Sequence, residues 1–491
     1  MTVKTFSRRD LLATAGCAAL GLAARSAAAE RLSLLAALAQ PHAPSDYRAL
    51  VCVFLNGGND GNNMVVPVTD YASYSAARSA AGLALAQASL LPVTPPAMAG
   101  KTFGLHPELS ELHGLWGQGK AAVVCNVGTL VEPLASRADY ASAAKKKPYQ
   151  LFSHSDQQQI WQTSRADTRV QTGWGGRIAD ALTCVNNGVA FPMLVSVAGI
   201  NLFAQGVSTR PLAVPDSGTA LNNVFVLSGF NSSAESVARR NAFDAIRAQD
   251  AGLPLVKAAN DTVQQALDIA ALFATDPALS PDRFSGLNTS ISRQLKQVAK
   301  LVKLNRDSAA LSLNRQVFFV QQGGYDTHQN QIGDHNTLYN DLSLALNAFQ
   351  LTMEDLGYGN RVTSFTVSDF GRTLVPSGSG AGTVGTDHGW GNHQLVVGGA
   401  VKGGNFYGVP GPNGSIFPTL VTGNVAGTND TDTRGRWIPN AALDQYGATL
   451  ARWFGVSTAN LALVFPNLYR FTSSDLGFMD LTGTTTPACQ P

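Results

Sequence analysis

Short, unbroken apolar runs, each followed by a turn rich in polar residues and glycine, constrain the fold of this chain more than any other feature. The clearest run, Arg48–Leu55, ends in the turn Asn56-Gly-Gly-Asn-Asp60. A run of this kind predicts a strand that is buried on both faces of a sheet. The runs are Arg48–Leu55, Lys120–Asn126, Pro192–Val197, Arg315–Val320 and Val362–Val367.

Segments with apolar residues at helical spacing lie between these runs. In Leu338–Leu356, for example, Leu342, Leu346 and Phe349 fall on one helical face. Strands that alternate with helices indicate an α/β protein, in which helices cover both faces of a mostly parallel sheet. We therefore predict a three-layer α/β/α sandwich.

One part of the chain does not follow this alternation. Residues 201–229 are rich in Gly, Ser, Pro and Asn, and residues 234–306 read as helices interrupted by prolines. The segment carries few candidate catalytic residues, so we predict that 201–306 is a loop-rich and helical insertion or cap over the sheet. A chain of 491 residues, 45% of them hydrophobic, can bury one large core, and we predict a single domain over residues 30–491.

The N-terminus resembles an export signal. A twin-arginine pattern, Ser7-Arg-Arg-Asp-Leu-Leu12, precedes an Ala-rich apolar segment and the small residues Ala27-Ala-Ala29. The apolar segment is too short to span a bilayer. We predict a signal peptide over residues 1–29, a mature chain without a transmembrane segment, and a location in the periplasm or outside the cell. An ordinary amphipathic helix and a lipid-modified Cys17 are the alternatives.

Charge and cysteine usage exclude other classes of protein. The net charge is +2, so nothing in the composition favours a nucleic-acid partner. The spacing of the cysteines does not fit a zinc finger. In an oxidising compartment the mature chain's cysteines could form disulfides, and buried free thiols are the alternative for Cys52 and Cys125.

Polar side chains that can bind metal ions follow several predicted strands. The carboxyl ends of parallel strands lie at one edge of a sheet, so these side chains can converge there. Carboxylates with imidazoles suit Zn, Mn and similar cations. Each residue alone also has an ordinary explanation, as a helix cap or a hydrogen-bonded histidine. The candidates are Asp60, Asp326, His328, Asp369, Asp387, His388 and His393.

A set of short motifs runs through the chain: the twin-arginine leader, Phe54–Gly61, Ser153–Gln157, Gly173–Arg177, Gly324–His328, Ser368–Thr373, Thr386–Gly391 and Gly398–Gly404. These motifs resemble those of the DUF1501 family of exported bacterial proteins, and the resemblance covers nearly the whole mature chain. That family looks like a remote branch of the alkaline phosphatase and sulfatase superfamily, which implies an alkaline-phosphatase-like fold.

The superfamily resemblance implies a site for one or two divalent ions, with Zn, Mn, Mg and Ca all open. One ion would be held by Asp326, His328 and either His388 or His393. Asp387 is a further candidate ligand on the loop that carries these two histidines. The second would be held by Asp60 and Asp369. Phe370 stands where the superfamily has a histidine, which puts the second ion in doubt.

The resemblance also implies a nucleophile and an anion-binding group. Ser153, before a predicted helix, is the first choice as nucleophile, and Thr129 is the second. For Ser153 an ordinary N-cap is the alternative. Cys125 lacks the Cys-x-Pro-x-Arg context of sulfatases. Arg372 would bind an anionic substrate, or else pair with a structural acid.

Two functions remain open at the level of the sequence. The first is a metal-dependent hydrolase of phosphate or sulfate esters, acting on a small molecule or a polysaccharide. The second is a non-catalytic exported relative that binds an envelope protein partner and acts in envelope or exopolysaccharide assembly. Phe370 and the lack of an obvious nucleophile favour the second.

Overall fold

The computed structural model describes residues 46–186, 189, 191–225, 230–249, 252–379 and 383–487. The predicted leader, the segment that joins it to residue 46, and Cys17 and Cys489 lie outside the described residues. Within the described ranges, no helix has the length and apolar composition needed to cross a membrane.

The strands include every apolar run that the sequence predicts. All eight residues of the first strand are buried, as its composition requires. The strands are β1 (Arg48–Leu55), β2 (Val65–Pro67), β3 (Leu91–Val93), β4 (Phe103–Leu105), β5 (Ala121–Gly128), β6 (Leu194–Ser196), β7 (Leu212–Ala213), β8 (Arg315–Gln322), β9 (Val362–Ser368), β10 (Arg372–Pro376), β11 (Thr386–His388), β12 (Asn392–Val397), β13 (Phe406–Tyr407) and β14 (Ala441–Ala442).

The main sheet has the order β13-β5-β12-β9-β1-β8-β6-β7, with β14 beside β5. Its pairs are parallel except where β12 lies antiparallel to β5 and β9, so the prediction of a mostly parallel sheet is confirmed. Because β12 runs the other way, its first residue, Asn392, lies at the edge where β1, β8 and β9 end. Two smaller sheets, β10-β11 and β2-β4-β3, complete the topology.

Helices pack on both faces of this sheet. They are α1 (Gly61–Met64), α2 (Tyr71–Arg78), α3 (Ser110–Gly117), α4 (Arg137–Ala141), α5 (His154–Thr163), α6 (Trp174–Ala181), α7 (Ala234–Ala248), α8 (Pro254–Leu272), α9 (Ser290–Asp307), α10 (Gln331–Asp355), α11 (Leu443–Phe454) and α12 (Leu461–Val464). Short 3₁₀ helices lie at Ser79–Ala81, Gln87–Ser89, Pro96–Met98, Thr183–Asn186, Leu221–Asn223 and Leu468–Arg470.

Alternate side chains of β1 belong to different hydrophobic cores, which establishes the three-layer sandwich. Val51 and Val53 pack into a core that includes residues of α3, α9 and α10. Cys52 and Phe54 pack into a core that includes residues of α5, α6 and α11. The period of two in a strand sends successive side chains to opposite faces, so one apolar run serves both layers.

Part of the predicted insertion belongs to the body of the fold. Helix α9 lies in the predicted segment 201–306 except for its last residue, Asp307, yet it packs against β8 and α10, and its apolar face is buried in the main core. The short strand β7 extends the main sheet beside β6. Helices α7 and α8 bury few of their residues.

The cysteines follow both of the alternatives that the sequence left open. Cys184 is disulfide-bonded. Cys52 and Cys125 are free and buried in the strands that carry them.

Candidate metal centre

Three potential metal ligands from distant parts of the chain meet at the edge of the sheet. They are His154, the first residue of α5; Asp326, in the loop after β8; and His388, the last residue of β11. One ligand atom from each lies within 4.8 Å of the other two. The Nε2 atoms of His154 and His388 are 3.0 Å apart, and Asp326 Oδ1 lies 3.3 and 3.5 Å from them.

His328 brings a fourth nitrogen atom to this cluster. Its Nε2 lies 3.1 Å from His388 Nε2 and 3.1 Å from Asp326 Oδ1. The His328 side chain is 44% exposed, so it closes the cluster on the solvent side. The candidate metal centre is therefore defined as His154, Asp326, His328 and His388.

A close backbone approach makes this convergence possible. Gly57, in the turn after β1, has a φ of 119°, and a Cβ atom there would lie 2.3 Å from the backbone nitrogen of Asp326. Only glycine fits this position, because it tolerates both the left-handed conformation and the short distance. The Gly-rich turn after the first apolar run thus lets the loop of Asp326 pack against the end of β1.

The second ring nitrogen of His154 is held by a buried acid. Nδ1 lies 2.7 Å from Oδ2 of Asp369, whose side chain is fully buried at the end of β9. Asp369 also accepts hydrogen bonds from the backbone N–H of Gly57, at 3.1 Å, and from the amide of Gln158, at 2.9 Å. These hydrogen bonds fix the orientation of the Asp369 carboxylate, and the carboxylate in turn fixes the orientation of the His154 ring.

The other two histidines are oriented in the same way. His388 Nδ1 lies 2.8 Å from the carbonyl oxygen of Phe152, and His328 Nδ1 faces Asp387 Oδ1 at 3.4 Å. Asp387 is in turn paired with Arg434 at 2.6 Å. Metal-binding histidines in proteins commonly donate their other N–H to a carboxylate or a backbone carbonyl, which fixes the tautomer and the ring orientation.

These partners determine what the converging atoms can do. A carboxylate or a carbonyl oxygen only accepts, so the proton of a neutral His154 or His388 ring resides on Nδ1 and its lone pair is on Nε2. These two lone pairs then face each other at 3.0 Å, with Asp326 Oδ1 at 3.3 and 3.5 Å from them, which is unfavourable without a cation between them. The donor set of three imidazoles and one carboxylate fits a borderline divalent cation such as Zn²⁺ or Mn²⁺.

The electrostatics of the cluster reflect the same contacts. The hydrogen bond to Asp369 raises the pKa of His154. Burial lowers the pKa of His388. Partial burial alone would raise the pKa of Asp326, but the charge of Arg372, with those of the three histidines, outweighs it and lowers this pKa.

Asp60, predicted as a ligand, has other partners in the structure. Its buried carboxylate pairs with Arg78 at 2.5 Å, receives the amide of Gln331 at 2.6 Å and caps α1 through the N–H of Asn62. The pKa of Asp60 is lowered, because Arg78 outweighs the opposing effect of burial. The structure thus does not bring Asp60 to the candidate metal centre.

His393 is also directed elsewhere. It lies within β12, where its Nδ1 accepts the backbone N–H of Asn126 and its ring stacks on Phe417. Burial lowers its pKa to about 3. Of the two late histidines that the sequence left open, His388 joins the cluster and His393 does not. Asp369 and Asp387 orient histidines rather than pointing at the centre themselves.

The hydroxyl groups of both predicted nucleophiles are hydrogen-bonded to neighbouring side chains. Ser153 immediately precedes His154 as the N-cap of α5, and its hydroxyl donates to Asp156 at 2.8 Å. Thr129 is buried and donates to the side-chain oxygen of Gln157 at 2.7 Å.

Arg372 touches the centre through only part of its guanidinium group. Its Nη1 donates to Asp326 Oδ1 at 3.1 Å. Its Nε and Nη2 atoms are buried and have no hydrogen-bond partner among the described residues. Buried donors left without partners are costly, so Arg372 retains a capacity for an additional acceptor.

Sequence reasoning missed His154 as a member of the cluster. The motif Ser153–Gln157 contains both residues, with His154 directly after the candidate nucleophile Ser153. Phe370 explains the arrangement: its ring stacks on His388 with centroids 4.6 Å apart and contacts His154 at 4.8 Å. The imidazole that partners Asp369 therefore comes from α5 rather than from position 370.

The fold and this cluster together define an α/β protein with a candidate metal centre at the carboxyl edge of its sheet. Residues 47–414 match the family described as "protein of unknown function (DUF1501)". The match spans most of the chain, so the protein belongs to this family, as its motifs predict. A comparison with curated proteins finds no match.

Solved structures similar to this chain include a sulfatase and alkaline phosphatases. The PsFucS1 sulfatase from Pseudoalteromonas sp. is 9% identical, with 78% of this chain and 67% of that chain covered and a TM-score of 0.27. The alkaline phosphatase of Thermus thermophilus is 14% identical, with 69% and 63% covered and a TM-score of 0.24. Ps i-CgsB, solved in complex with k-i-k-neocarrahexaose, is 10% identical, with 87% and 76% covered and a TM-score of 0.31. These TM-scores are low, so any functional conclusion has to rest on the geometry of the site.

Proposed function

We propose that the protein is an exported metal-dependent hydrolase of phosphate or sulfate esters. The observation that carries this proposal is the clustering of three histidine Nε2 atoms with one carboxylate oxygen, in which His154 and His388 are held through their Nδ1 atoms. Such pre-oriented ligands favour a bound divalent cation over an ordinary hydrogen-bond network. The N-terminal leader pattern supports export to the periplasm or beyond.

Within this proposal the residues of the centre have separate roles. His154, Asp326 and His388 hold the ion, and His328 completes the set from the solvent side. When bound, the ion supplies positive charge that polarises an ester oxygen. Arg372, with unpaired N–H donors beside Asp326, would bind the anionic group of the substrate by charge-assisted hydrogen bonds.

Ser153 is the proposed nucleophile. It adjoins His154 in sequence, and it stands at the N-terminus of α5, where the free N–H groups and the helix dipole favour an anionic group. Its hydroxyl would have to leave Asp156 in order to attack. The ester could belong to a small molecule or to a polysaccharide.

One observation favours the second function, a non-catalytic exported relative that acts in envelope or exopolysaccharide assembly. Both candidate hydroxyls, those of Ser153 and Thr129, are committed to neighbouring side chains. A protein that keeps the metal centre for structural reasons, and binds an envelope partner, would need no free nucleophile.

Metal analysis and an ester panel separate the two functions. We would measure the metal content of the purified chain and its turnover of p-nitrophenyl phosphate, p-nitrophenyl sulfate and sulfated or phosphorylated saccharides. The test variant is His388→Ala. The matched control is His113→Ala, because His113 is a half-buried histidine on α3 that does not belong to the candidate metal centre, and its Nε2 lies 2.9 Å from the carbonyl oxygen of Pro92.

For a hydrolase we expect bound metal, turnover of at least one ester, and a loss of metal affinity of at least about 100-fold in His388→Ala. The His113→Ala protein should match the wild type in both. Bound metal without turnover of any ester would favour the non-catalytic relative. Wild-type protein that binds no divalent metal would contradict the metal centre itself.

A further inference from the structure

We propose that Asp60, Arg78 and Gln331 form a buried clamp that positions the strand pair β10-β11, and with it Arg372 and His388. The inference rests on the proposed function, since those two residues belong to the candidate metal centre and its surroundings. Asp60, Arg78 and Gln331 are all 0% exposed. They come from the turn after β1, the end of α2 and the start of α10.

The guanidinium group of Arg78 reaches both Asp60 and the backbone of β10. Nη1 donates to Asp60 Oδ2 and to Asn63 Oδ1, both at 2.5 Å, and Nη2 donates to Asp60 Oδ1 at 3.1 Å. Nη2 also donates to the carbonyl of Thr373, and Nε to that of Leu374, each at 3.0 Å. These five contacts use every N–H that an arginine carries.

Asp60 is equally saturated. Its Oδ1 accepts from Arg78 and from the backbone N–H of Asn62, and its Oδ2 accepts from Arg78 and from the amide of Gln331. A buried ion pair is favourable only when its remaining donors and acceptors are satisfied in this way. Arg372 differs from Arg78, because its Nε and Nη2 atoms have no hydrogen-bond partner among the described residues. Arg78 therefore has a structural role, whereas Arg372 can still bind a ligand.

Gln331 extends the clamp to the second strand. Its amide nitrogen donates to Asp60 at 2.6 Å, and its side-chain oxygen accepts from the hydroxyl of Thr386, also at 2.6 Å. Thr386 is fully buried and opens β11, two residues before His388. The clamp therefore holds β10 through backbone carbonyls and β11 through a side chain.

The strand pair needs such support, because its own pairing is weak. Arg372 pairs with His388 and Pro376 with Thr386, and the register shifts between these pairs. A two-stranded hairpin is marginally stable in water, so its position depends on what it packs against. The clamp contacts Thr373, directly after Arg372, and Thr386, two residues before His388. A small displacement of either strand would therefore change the distances between the proposed metal ligands.

Thr386→Val tests the clamp without breaking the buried ion pair. It removes the hydroxyl but keeps the size and shape of the side chain, whereas Thr386→Ser keeps the hydroxyl and should rescue the effect. The matched control is Thr352→Val, since Thr352 is a buried threonine of α10 whose hydroxyl donates to the carbonyl of Ala348. That control loses an equivalent buried hydrogen bond at a place unconnected to β10-β11.

Two measurements are needed on each full-length variant: the dissociation constant for Co²⁺, and hydrogen exchange in the peptides that contain β10 and β11. In Thr386→Val we expect the dissociation constant to rise about tenfold and exchange in both strands to accelerate. Thr386→Ser and Thr352→Val should each stay within about twofold of the wild type in Co²⁺ affinity.

The outcomes separate this inference from the proposed function. Unchanged Co²⁺ affinity and unchanged exchange in Thr386→Val would overturn the clamp and leave the metal centre intact. Equal losses in Thr386→Val and Thr352→Val would also overturn it, because they would reflect general destabilisation. If the wild type binds no Co²⁺, the metal centre is contradicted, and faster exchange in Thr386→Val alone would still support the clamp.

Discussion

The buried carboxylate of Asp369 lies 2.7 Å from Nδ1 of His154 and fixes which nitrogen of that ring faces the candidate metal centre. Gln158 donates to the same carboxylate oxygen, and the backbone N–H of Gly57 donates to the other one. An acid at the end of β9 thus acts through a histidine on α5, which crosses the edge of the sheet. This arrangement makes Asp369 a positioning residue rather than a ligand.

Replacement of Asp369 by Asn should weaken metal binding without removing a ligand. The amide has no negative charge to hold the Nδ1 proton of His154, so we expect metal affinity to fall by about 10- to 100-fold. Competition with a chelator of known affinity measures the change. Asp341→Asn, on α10, is the control and should bind metal as the wild type does. Equal affinities for Asp369→Asn and the wild type would contradict the positioning role.

Arg372 offers a test of anion binding in which inorganic phosphate or sulfate inhibits the turnover of a model ester. Its Nε and Nη2 are unpaired, and a lysine keeps the charge but cannot present two N–H groups in one plane. We expect Arg372→Lys to raise the inhibition constant of inorganic phosphate or sulfate about tenfold or more, and to raise KM more than it lowers kcat. Inhibition constants equal to those of the wild type would show that these anions do not bind at Arg372.

The layers of the fold were predictable because its strands carry a strong local signal. The run Arg48–Leu55 is apolar at every position after Arg48, and it forms β1 with those same bounds. The direction of β12 was not predictable in this way, because a buried antiparallel strand has the same composition as a buried parallel one. The amphipathic pattern of α9 does not indicate on which face of the sheet the helix packs, so the sequence predicts an insertion there.

The candidate metal centre was predictable only in part. Asp326 and His328 follow from the rule that side chains at one edge of a parallel sheet converge, whereas the same rule leaves His388 and His393 open as alternatives. His154 does not, since its position depends on how α5 packs over that edge. Asp60 also follows a strand that ends at this edge, yet its carboxylate pairs with Arg78 instead of joining the cluster. Arg78 is the last residue of α2, and nothing in the local sequence indicates that its side chain is buried.

Loss of Arg78 should destabilise the whole protein. Arg78→Met leaves the fully buried carboxylate of Asp60 without its counter-charge, and we expect a decrease of about 3–5 kcal/mol in the free energy of unfolding. Urea unfolding near neutral pH measures it. The control is Lys257→Met, which breaks an exposed pair with Asp261 and should cost less than about 1 kcal/mol. Equal costs for the two variants would show that burial of the Asp60–Arg78 pair is unimportant.

The same ion pair should make stability depend on acid. The pKa of Asp60 is lowered in the folded state, so its contribution is present above the unfolded pKa of about 3.9 and is lost as the pH falls through the folded value. We therefore expect the difference in stability between the wild type and Asp60→Asn to shrink as the solution is acidified below about pH 4. A difference that is constant across this range would contradict the lowered pKa.

Asp444, at the start of α11, should produce a dependence of the opposite sign. Its side chain is 2% exposed, and burial raises its pKa to about 7. Between the unfolded pKa of about 3.9 and the folded value, the folded state holds a proton that the unfolded state has lost. The stabilising contribution is therefore complete below about pH 4 and is lost as the pH rises through about 7.

Because one pKa unit corresponds to about 1.4 kcal/mol, the free energy of unfolding of the wild type should fall by an amount on the order of 2 kcal/mol between about pH 5 and about pH 7. The Asp444→Asn protein should not show this fall. Urea unfolding of both proteins across this range measures the effect, and parallel stability curves for the wild type and Asp444→Asn would show that Asp444 is already ionised in the folded protein.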